Sequence, residues 1–311
     1  MRKKKNYLVT GGAGFIGAAL AERLLAVGHA VTIIDNLSTG FMENVNRNAR
    51  FIEGECQDPA IYGTLIDTRF DAIFHIAGQS SGEISFDDPS YDLRTNAEST
   101  LHILHYALKS GCKRIVYAST MSIYGTRPDS PVAESEETFP ESFYGVGKLA
   151  SENYLRIYER YGINATSLRL FNVYGKGQNM SNMRQGMVSI YMEQMLDSGH
   201  IIVKGENNRF RDFVYIDDVV DAFLACLENP LSGGKSINIG TGVRTEVIEL
   251  LNKMIALYGK KVTVSYEAST PGDIHGIYAD ITAARNILNY FPKYDLNSGL
   301  KKMLAWAMER G

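Results

Sequence analysis

The sequence has little of what marks a disulfide-stapled, metal-binding or membrane-embedded protein. Its 311 residues include three cysteines, isolated from one another at Cys56, Cys112 and Cys226. An odd number of separated cysteines fits neither a disulfide framework nor the ligand spacing of a zinc site, and it suits a reducing compartment. No apolar run approaches the length needed to cross a bilayer. We therefore expect a cytoplasmic protein with no bound metal and no membrane partner.

The chain also lacks a strong charge of either sign. Its net charge is -3 and its pI is near 6.1. This leaves no basic field for nucleic acid, so an anionic ligand would have to be bound locally. With 45% hydrophobic and 22% charged residues, the composition is that of an ordinary globular protein large enough for two lobes.

Short apolar runs alternate with longer amphipathic stretches in the first half of the chain. This alternation predicts βαβ units, and hence an α/β fold with a doubly wound parallel sheet of the Rossmann type. The predicted strands cover residues 7–10, 30–34, 71–77, 114–118 and 164–168, and the clearest helices cover residues 15–27 and 91–109. After about residue 170 the pattern becomes irregular, with helices expected at residues 217–227, 245–258 and 296–308.

The first predicted strand runs directly into the stretch TGGAGFIG, which contains Gly11, Gly14 and Gly17. A phosphate-binding turn between a strand and a helix needs glycine at three places. The chain turns tightly at the first, approaches a pyrophosphate at the second and packs the helix against its strand at the third. Glycine-rich turns also occur without ligands, so the triplet needs support from elsewhere.

Asp35 supplies that support, because it ends the second predicted strand about twenty residues later. A carboxylate at this place can accept hydrogen bonds from an adenosine ribose and would repel a 2′-phosphate. Taken alone, Asp35 could be a turn residue in the stretch DNLSTG. Together with the glycines it predicts binding of NAD rather than NADP.

Tyr144 and Lys148 stand four residues apart in the stretch YGVGK. Residues at this spacing lie on one helix face, about 6 Å apart at Cβ, so that a phenol and an ammonium can share one small volume. An ordinary surface helix with a packed tyrosine and a solvated lysine is the alternative.

Nine short motifs, in order along almost the whole chain, give the sequence its resemblance to a known family. The sequence resembles the extended short-chain dehydrogenase/reductases, and within them the NAD-dependent nucleotide-sugar epimerases and dehydratases of the UDP-galactose (UDP-glucose) 4-epimerase type. The motifs are TGGAGFIG, DNLSTG, FHIAGQ, YASTMSIYG, YGVGK, RLFNVYG, RDFVYIDDVV, NIGTG and PGD.

The resemblance implies a catalytic role for three residues. Tyr144 would be the acid/base, Lys148 would lower its pKa and hold the nicotinamide ribose, and Thr120 would share the substrate proton. Lowering a phenol pKa from about 10 to about 7 takes roughly 4 kcal/mol. A buried Lys148 beside the positive charge of NAD⁺ could supply that stabilisation.

The resemblance also implies binding residues for a cofactor and a substrate. The residues expected to bind NAD are Gly11, Gly14, Phe15, Ile16, Gly17, Asp35, Asn36, Ser38, Thr39, Gly40, Asp58, Ile76, Ala77, Gln79, Asn96, Tyr144, Lys148 and Phe171. Those expected to bind a nucleoside diphosphate sugar are Ser80, Thr120, Asn172, Asn182, Arg211 and Asp273. For Arg211 the alternative is a surface ion pair with Asp212 or Asp217. NAD is expected to bind to a domain of residues 1–171 plus about 213–244, and the sugar nucleotide to about 172–212 plus 245–311.

The residues after Thr120 indicate which reaction follows oxidation of the sugar. Family members that eliminate water or decarboxylate carry acidic residues there, whereas this chain has Met121 and Ser122. Neither is a useful general acid. We therefore expect 4-epimerisation through a transient 4-keto sugar, ahead of a 4,6-dehydratase or decarboxylase. A 4-dehydrogenase or 4-ketoreductase, or a dinucleotide-binding protein without chemistry, is the remaining alternative.

The chain departs from the family at Thr270. Epimerases of this type usually carry a diphosphate-binding arginine at that position, and Arg184, Arg209 or Lys176 could substitute for it. Ile277 would help to set the space at the sugar C2, and an isoleucine there does not separate hexose from N-acetylhexosamine. We expect a UDP-linked sugar of either kind, with a GDP- or dTDP-linked sugar as the competitor.

Two further features concern assembly and metals. The helices predicted at residues 91–109 and 143–160 carry apolar side chains that could pair with those of a second copy, and family members commonly form such homodimers; a monomer is the alternative. His102 and His105 share a helix face, but the sequence offers no third ligand, so we expect packing rather than a metal site.

Overall fold

A computed structural model describes residues 3–206 and 208–310 of the chain. In chain order, the strands of these residues are β1 Asn6–Thr10, β2 Ala30–Asp35, β3 Arg50–Glu53, β4 Ala72–His75, β5 Arg114–Thr120, β6 Asn164–Leu170, β7 Asn172–Tyr174, β8 His200–Lys204, β9 Phe210–Arg211, β10 Phe213–Tyr215, β11 Lys235–Ile239, β12 Thr245–Glu246 and β13 Thr263–Glu267. The α-helices are α1 Phe15–Ala26, α2 Pro89–Leu93, α3 Ser99–Ser110, α4 Phe143–Tyr158, α5 Met187–Asp197, α6 Ile216–Glu228, α7 Val247–Tyr258, α8 Thr282–Leu288 and α9 Leu296–Met308.

The central sheet is parallel and has the strand order β3-β2-β1-β4-β5-β6-β11. Successive residues of its strands point to opposite faces and enter two separate apolar clusters, Val9 and Phe74 on one face and Leu8 and Ile73 on the other. The predicted doubly wound Rossmann fold is thereby confirmed. The strand order reverses between β1 and β4, which opens a crevice at the carboxyl ends of these strands.

The strand predicted over residues 71–77 is shorter, because the chain leaves the sheet after His75. The hydroxyl of Thr10 accepts hydrogen bonds from the backbone nitrogens of Ile76 (3.1 Å) and Ala77 (3.2 Å). A side chain thus takes the place of the next strand in satisfying these two donors. The segment after β4 is free to line the crevice.

The helix predicted over residues 91–109 is interrupted by a π-helical turn, Arg94–Glu98, between α2 and α3. The hydroxyl of Ser99 donates to the Thr95 carbonyl at 2.6 Å, and that of Thr100 donates to the Asn96 carbonyl at 2.8 Å. These side chains satisfy carbonyl groups in the widened turn. The spacing of apolar residues in the sequence does not reveal that one helical turn contains an extra residue.

The irregular part of the chain forms small sheets beside the carboxyl edge of the main sheet. β7 pairs with β10, β8 with β13 and β9 with β12. Most of these strands have two or three residues, which is too few to produce an alternating sequence pattern. The helices expected at residues 217–227 and 296–308 are present as α6 and α9, and α7 begins two residues later than predicted because Thr245–Glu246 pairs with β9.

Candidate active site

The glycine turn after β1 requires glycine for steric reasons at two of its three positions. Gly11 has a φ of +71°, and a Cβ placed on it would lie 2.7 Å from the Ala77 nitrogen. A Cβ on Gly17 would lie 2.1 Å from the Gly11 carbonyl oxygen. The first glycine therefore permits the turn, and the third lets α1 pack closely on it.

Helix α1 presents its amino terminus to the crevice. Gly14 is its N-cap residue, and its first turn contains no acidic side chain. The nitrogens of the first turn lie beside a cavity of about 500 Å³, which Gly14, Phe15, Ile16 and Gly17 line. Backbone N–H groups without helical acceptors, together with the positive end of the helix dipole, suit a pyrophosphate.

Asp35 lies at the end of β2 on the same cavity and is buried. One carboxylate oxygen accepts a hydrogen bond from the Ala13 nitrogen at 2.9 Å, and the other accepts one from the Leu37 nitrogen at 2.8 Å. These bonds fix the orientation of the carboxylate, and each oxygen keeps a lone pair for a ribose hydroxyl. The residues present therefore fit the adenosine half of NAD.

Most of the residues predicted to bind NAD line this cavity, and three do not. Gly40 supports the turn from behind, since a Cβ on it would lie 2.7 Å from the Ala13 carbonyl oxygen. Asp58 caps the helical turn that follows β3 by accepting a hydrogen bond from the Ala60 nitrogen at 2.9 Å. Asn96 is fully buried behind Gly78.

The cavity also has lining residues that the sequence reasoning missed. Gly54, Cys56 and Gln57 follow β3, and Gln178 and Asn179 come from the segment after β7. The first group could have been predicted by recognising β3, because its carboxyl end lies at the same edge of the sheet as that of β2. Gln178 and Asn179 lie far along the chain, in a segment without a regular pattern.

Tyr144, Lys148 and Thr120 meet at the middle of the crevice, where β5 ends and α4 passes. All three are buried, and all three line the large cavity. The Lys148 ammonium donates to the Ala118 carbonyl oxygen at 3.0 Å and lies 5.8 Å from the ring centre of Tyr144. The Ser142 hydroxyl caps α4 by accepting a hydrogen bond from the Gly145 nitrogen, which fixes the first turn.

Burial dominates the protonation of the pair. It raises the pKa of Tyr144 to about 12, although a hydrogen bond with Thr120 has a smaller, lowering effect on that pKa. Burial also lowers the pKa of Lys148 to about 8. The surroundings of the phenol in the protein thus favour its neutral form, and the lowered pKa expected from the sequence requires further positive charge at the site.

A buried polar cluster lies behind the pair, on α2 and the π-helical turn. The amide nitrogen of Gln79 donates to Asp92 at 2.8 Å, and that of Asn96 donates to the Gln79 carbonyl oxygen at 3.0 Å. Burial raises the pKa of Asp92, whose charge acts on both Lys148 and Tyr144. The sequence analysis missed Asp92, which spacing alone does not connect with Lys148.

A second cavity of about 400 Å³ continues from the first toward the small sheets. Asn172 lines both cavities, and its side-chain oxygen has no hydrogen-bond partner among the described residues. The residues common to both linings are Ser80, Gly82, Met121, Ser122, Asn172, Gln185, Gly186 and Met187. They form an uncharged passage, which leads from the Tyr144 region to a cavity with charged walls.

Five of the six predicted substrate residues line the cavities. Arg211 and Asp273 line the second cavity, Thr120 lines the first, and Ser80 and Asn172 line both. Asn182 instead bonds within its own loop, accepting from the Arg184 nitrogen and donating to Gln185.

Arg211 forms an ion pair with Asp273 at 2.6 Å, which differs from the surface pair with Asp212 or Asp217 considered as the alternative. Asp212 is buried and instead accepts hydrogen bonds from the nitrogens of Thr241 and Gly242. Asp273 consequently supports an arginine at the wall of the second cavity.

Two other expectations concern the wall of the second cavity. Ile277, predicted to border the sugar, is buried in the core and lies outside the lining described for either cavity. Three residues were expected to be able to replace the arginine that is missing at position 270. Arg184 and Arg209 line the second cavity together with Thr270, whereas Lys176 is exposed outside it. The Ile277 side chain therefore does not border either described cavity.

The histidines of interest have structural contacts. His75 lies between the hydroxyls of Thr10 (2.9 Å) and Thr100 (3.1 Å), and burial lowers its pKa to about 3. The His102 Nε2 lies 3.8 Å from the Glu98 Oε1. Within residues 3–206 and 208–310, no group of three or more metal-ligating side chains is present, and no helix is long and apolar enough to cross a membrane.

Known proteins resemble this chain over nearly its full length. A UDP-glucose 4-epimerase of Mycolicibacterium smegmatis is 35% identical over 302 residues, which cover 95% of this chain and 96% of that protein. The crystal structure of the Thermotoga maritima UDP-glucose 4-epimerase with UDP-glucose is 36% identical, with a TM-score of 0.95 and coverage of 98% and 99% of the two chains. A UDP-glucuronic acid 4-epimerase from Bacillus cereus, in complex with UDP-glucuronic acid and NAD, is 28% identical, with a TM-score of 0.91 and coverage of 98% and 100%.

The family resemblance predicted from the motifs is confirmed by a match to a family sequence model. The model of the NAD dependent epimerase/dehydratase family matches residues 7–240, a segment that contains the glycine turn, Asp35 and the Tyr144–Lys148 pair. We conclude that the chain belongs to the NAD dependent epimerase/dehydratase family of enzymes.

Proposed function

We propose that the protein catalyses the NAD-dependent 4-epimerisation of a nucleoside diphosphate sugar, with a UDP-hexose or UDP-N-acetylhexosamine as the substrate. The observation that carries the proposal is the uncharged passage between the two cavities. It joins the Tyr144 region to a charged cavity of about 400 Å³. A sugar in the passage would have its C4 near Tyr144 and Thr120 and its diphosphate among the arginines of the second cavity.

NAD is the cofactor of this family, and the large cavity fits it. The α1 amino terminus would hold the pyrophosphate, Asp35 the adenosine ribose, and Lys148 the nicotinamide ribose. When bound, NAD would supply a hydride acceptor for the sugar C4 and, in its reduced form, a hydride donor for the transient 4-keto sugar. Its positive charge would also favour the phenolate form of Tyr144, whose pKa burial raises to about 12.

The chain's own groups move the proton and let the sugar turn. Tyr144 takes the proton of the 4-hydroxyl, while Thr120, which hydrogen bonds to the phenol, shares it. Epimerisation needs a sugar that can rotate between the two hydride transfers. The small or flexible side chains of the passage, among them Ser80, Ser122 and Met187, allow that rotation while the diphosphate stays bound.

The remaining expectations complete the proposal. We assign residues 1–171 plus about 213–244 to the NAD-binding domain and about 172–212 plus 245–311 to the sugar-nucleotide domain, where residues 1–2, 207 and 311 lie outside the described part. The placement of α6 and β11 with the main sheet supports this division. Three buried free cysteines support a reducing compartment, for which we propose the cytoplasm.

A panel of nucleotide sugars tests the activity. Purified protein is incubated with UDP-, GDP- and dTDP-linked hexoses and N-acetylhexosamines, while 4-epimers and NADH absorbance are followed. We expect a 4-epimer from a UDP-linked sugar without accumulation of NADH. Stoichiometric NADH, or a 4-keto product without an epimer, would show a 4-dehydrogenase instead.

A further inference from the structure

The second cavity has two buried arginines that share a single carboxylate. Arg209 and Arg211 both form ion pairs with Asp273, whose side chain is 16% exposed, against 6% and 4% for the two arginines. Two guanidinium groups and one carboxylate leave one positive charge in excess. A buried charge without a counter-ion is costly, so this cluster of Arg209, Arg211 and Asp273 favours an anionic ligand. The carboxylates of Glu83, Glu141 and Glu267 lie elsewhere on the cavity lining.

Arg211 has few hydrogen-bond donors left for such a ligand. One terminal nitrogen donates to the carbonyl oxygens of Phe210 (2.8 Å) and His275 (3.1 Å). The other donates to Asp273 at 2.6 Å and to the Ile274 carbonyl oxygen at 2.7 Å. Each terminal nitrogen carries two N–H groups, so all four are engaged, and a bidentate grip on a phosphate through them would break existing bonds.

Arg209 has three hydrogen-bond partners and keeps donors free. Its Nε donates to the Glu206 carbonyl oxygen at 3.0 Å, one terminal nitrogen pairs with Asp273, and the other donates to the Lys204 carbonyl oxygen. Among the contacts of the described residues, one N–H on each terminal nitrogen remains without an acceptor.

The chain is also shaped around this guanidinium. Gly205 has a φ of +83°, and a Cβ on it would lie 3.0 Å from the Arg209 Cζ. The backbone at residue 205 therefore passes close to the guanidinium, and its positive φ favours glycine there. Arg184 and Lys204, the other cations of the cavity wall, are much more exposed, and both lie near Glu83.

We propose that Arg209 is the principal arginine that binds the diphosphate of the nucleotide sugar, with its two free N–H groups directed at phosphate oxygens. It would supply the charge that Thr270, on the same cavity wall, lacks. The inference rests on the proposed function for the identity of the ligand. Arg211 and Asp273 act in this arrangement as its supports.

Titration calorimetry of the full chain with NAD present tests the assignment. UDP is the main probe, with GDP and dTDP run alongside and uridine as the ligand without phosphates. We expect Arg209→Gln to weaken UDP binding roughly 10- to 100-fold and to leave uridine binding nearly unchanged. The UDP affinity of Arg209→Lys should lie between those of the unaltered protein and Arg209→Gln, because lysine keeps the positive charge but lacks the paired N–H groups of a guanidinium.

A double variant separates the binding role from a merely structural one. Adding Thr270→Arg to Arg209→Gln returns a guanidinium to the same cavity wall and should regain much of the lost UDP affinity. If Arg209→Gln weakened binding only by disturbing the structure around residue 209, the second substitution would not restore it. The thermal midpoint and NAD affinity of each variant are measured as checks on folding.

Three results would overturn the assignment: unchanged UDP affinity in Arg209→Gln, an equal loss for UDP and uridine, or no binding of any nucleoside diphosphate by the unaltered protein. Absence of 4-epimer from the sugar panel, with UDP binding still dependent on Arg209, would instead count against the proposed reaction alone.

Discussion

The Lys148 ammonium donates a hydrogen bond to the Ala118 carbonyl oxygen at 3.0 Å, which joins α4 to strand β5 two residues before Thr120. The Lys148 Nζ is also 4.8 Å from the ring centre of Tyr117. Its positive charge adds to the effect of burial in lowering the pKa of His75. Its charge is therefore enclosed by aromatic rings, a carbonyl group and the carboxylate of Asp92. This enclosure affects the stability of the folded protein and the pH dependence of turnover.

Replacing Lys148 should stabilise the cofactor-free protein at neutral pH. Burial lowers the Lys148 pKa to about 8 from 10.5, so the folded protein binds this proton less tightly than the unfolded chain. The penalty is full below pH 8, and stability is regained as the pH rises from about 8 to 10.5. We expect Lys148→Met to gain on the order of 1 to 3 kcal/mol at pH 7 in denaturant unfolding. The gain should shrink toward pH 10, and a loss at pH 7 would contradict this account.

Replacing Tyr144 should abolish turnover and preserve cofactor binding. Tyr144→Phe removes the proton acceptor and little contact area, so we expect epimerisation to fall by at least about 10²-fold. NAD affinity, measured by fluorescence or calorimetry, should change little. Tyr154→Phe, on the same helix outside the described cavity linings, is the matched control and should remain active. Substantial activity of Tyr144→Phe with the correct sugar would remove this residue from its role.

Neutralising Asp92 should move the pH profile of turnover. The negative charge of Asp92 raises the pKa of both Tyr144 and Lys148. Asp92→Asn keeps the shape and removes that charge, which makes the phenolate easier to form. We expect the acid limb of kcat to shift to lower pH by up to about one unit. Asp88→Asn, an exposed helix-capping carboxylate on the same element, should leave the limb in place. An unmoved limb in Asp92→Asn would show that the cluster is only structural.

Neutralising Asp35 should reduce discrimination against NADP. Asp35→Asn removes the repulsion of a 2′-phosphate, and unlike alanine it retains one oxygen for the turn after β2. We expect the ratio of NAD to NADP affinity to fall roughly tenfold. Glu53→Gln, which alters the residue paired with Asp35 on β3, is the control. If the ratio stays the same in Asp35→Asn, other groups recognise the ribose.

The protein should be a homodimer that pairs through α4 and the helical segment formed by α2 and α3. Helix α4 exposes Val146 (52%) and Ile157 (45%), and Leu93 at the end of α2 is 58% exposed on a neighbouring element. Copies of these helices packed together would cover that apolar surface. We expect Val146→Arg to give monomers in sedimentation experiments. Val27→Arg, which places the same charge on a residue 60% exposed after α1, should remain dimeric. A monomeric unaltered protein over a wide concentration range would refute the prediction.

Features built from neighbours in sequence were predictable from the sequence alone. The Gly11 turn, the Asp35 position and the Tyr144–Lys148 pair each depend on local spacing within a strand, a turn or a helix. Once the alternating pattern indicates parallel strands, their carboxyl ends meet at one edge, and the cavity follows from that arrangement. The fold and the principal residues of the large cavity were therefore within reach of sequence reasoning.

The wall of the second cavity was decided by tertiary structure. Arg209 and Asp273 are 64 residues apart, and each comes from a segment too short or irregular to show a period. Asp92 is likewise joined to Lys148 only by the packing of α2 on α4. Which donors of Arg211 are already used, and which of Arg209 are free, depends on atomic hydrogen-bond geometry. Residue types and their spacing do not contain that information, because the same guanidinium can serve a carboxylate, a carbonyl group or a phosphate.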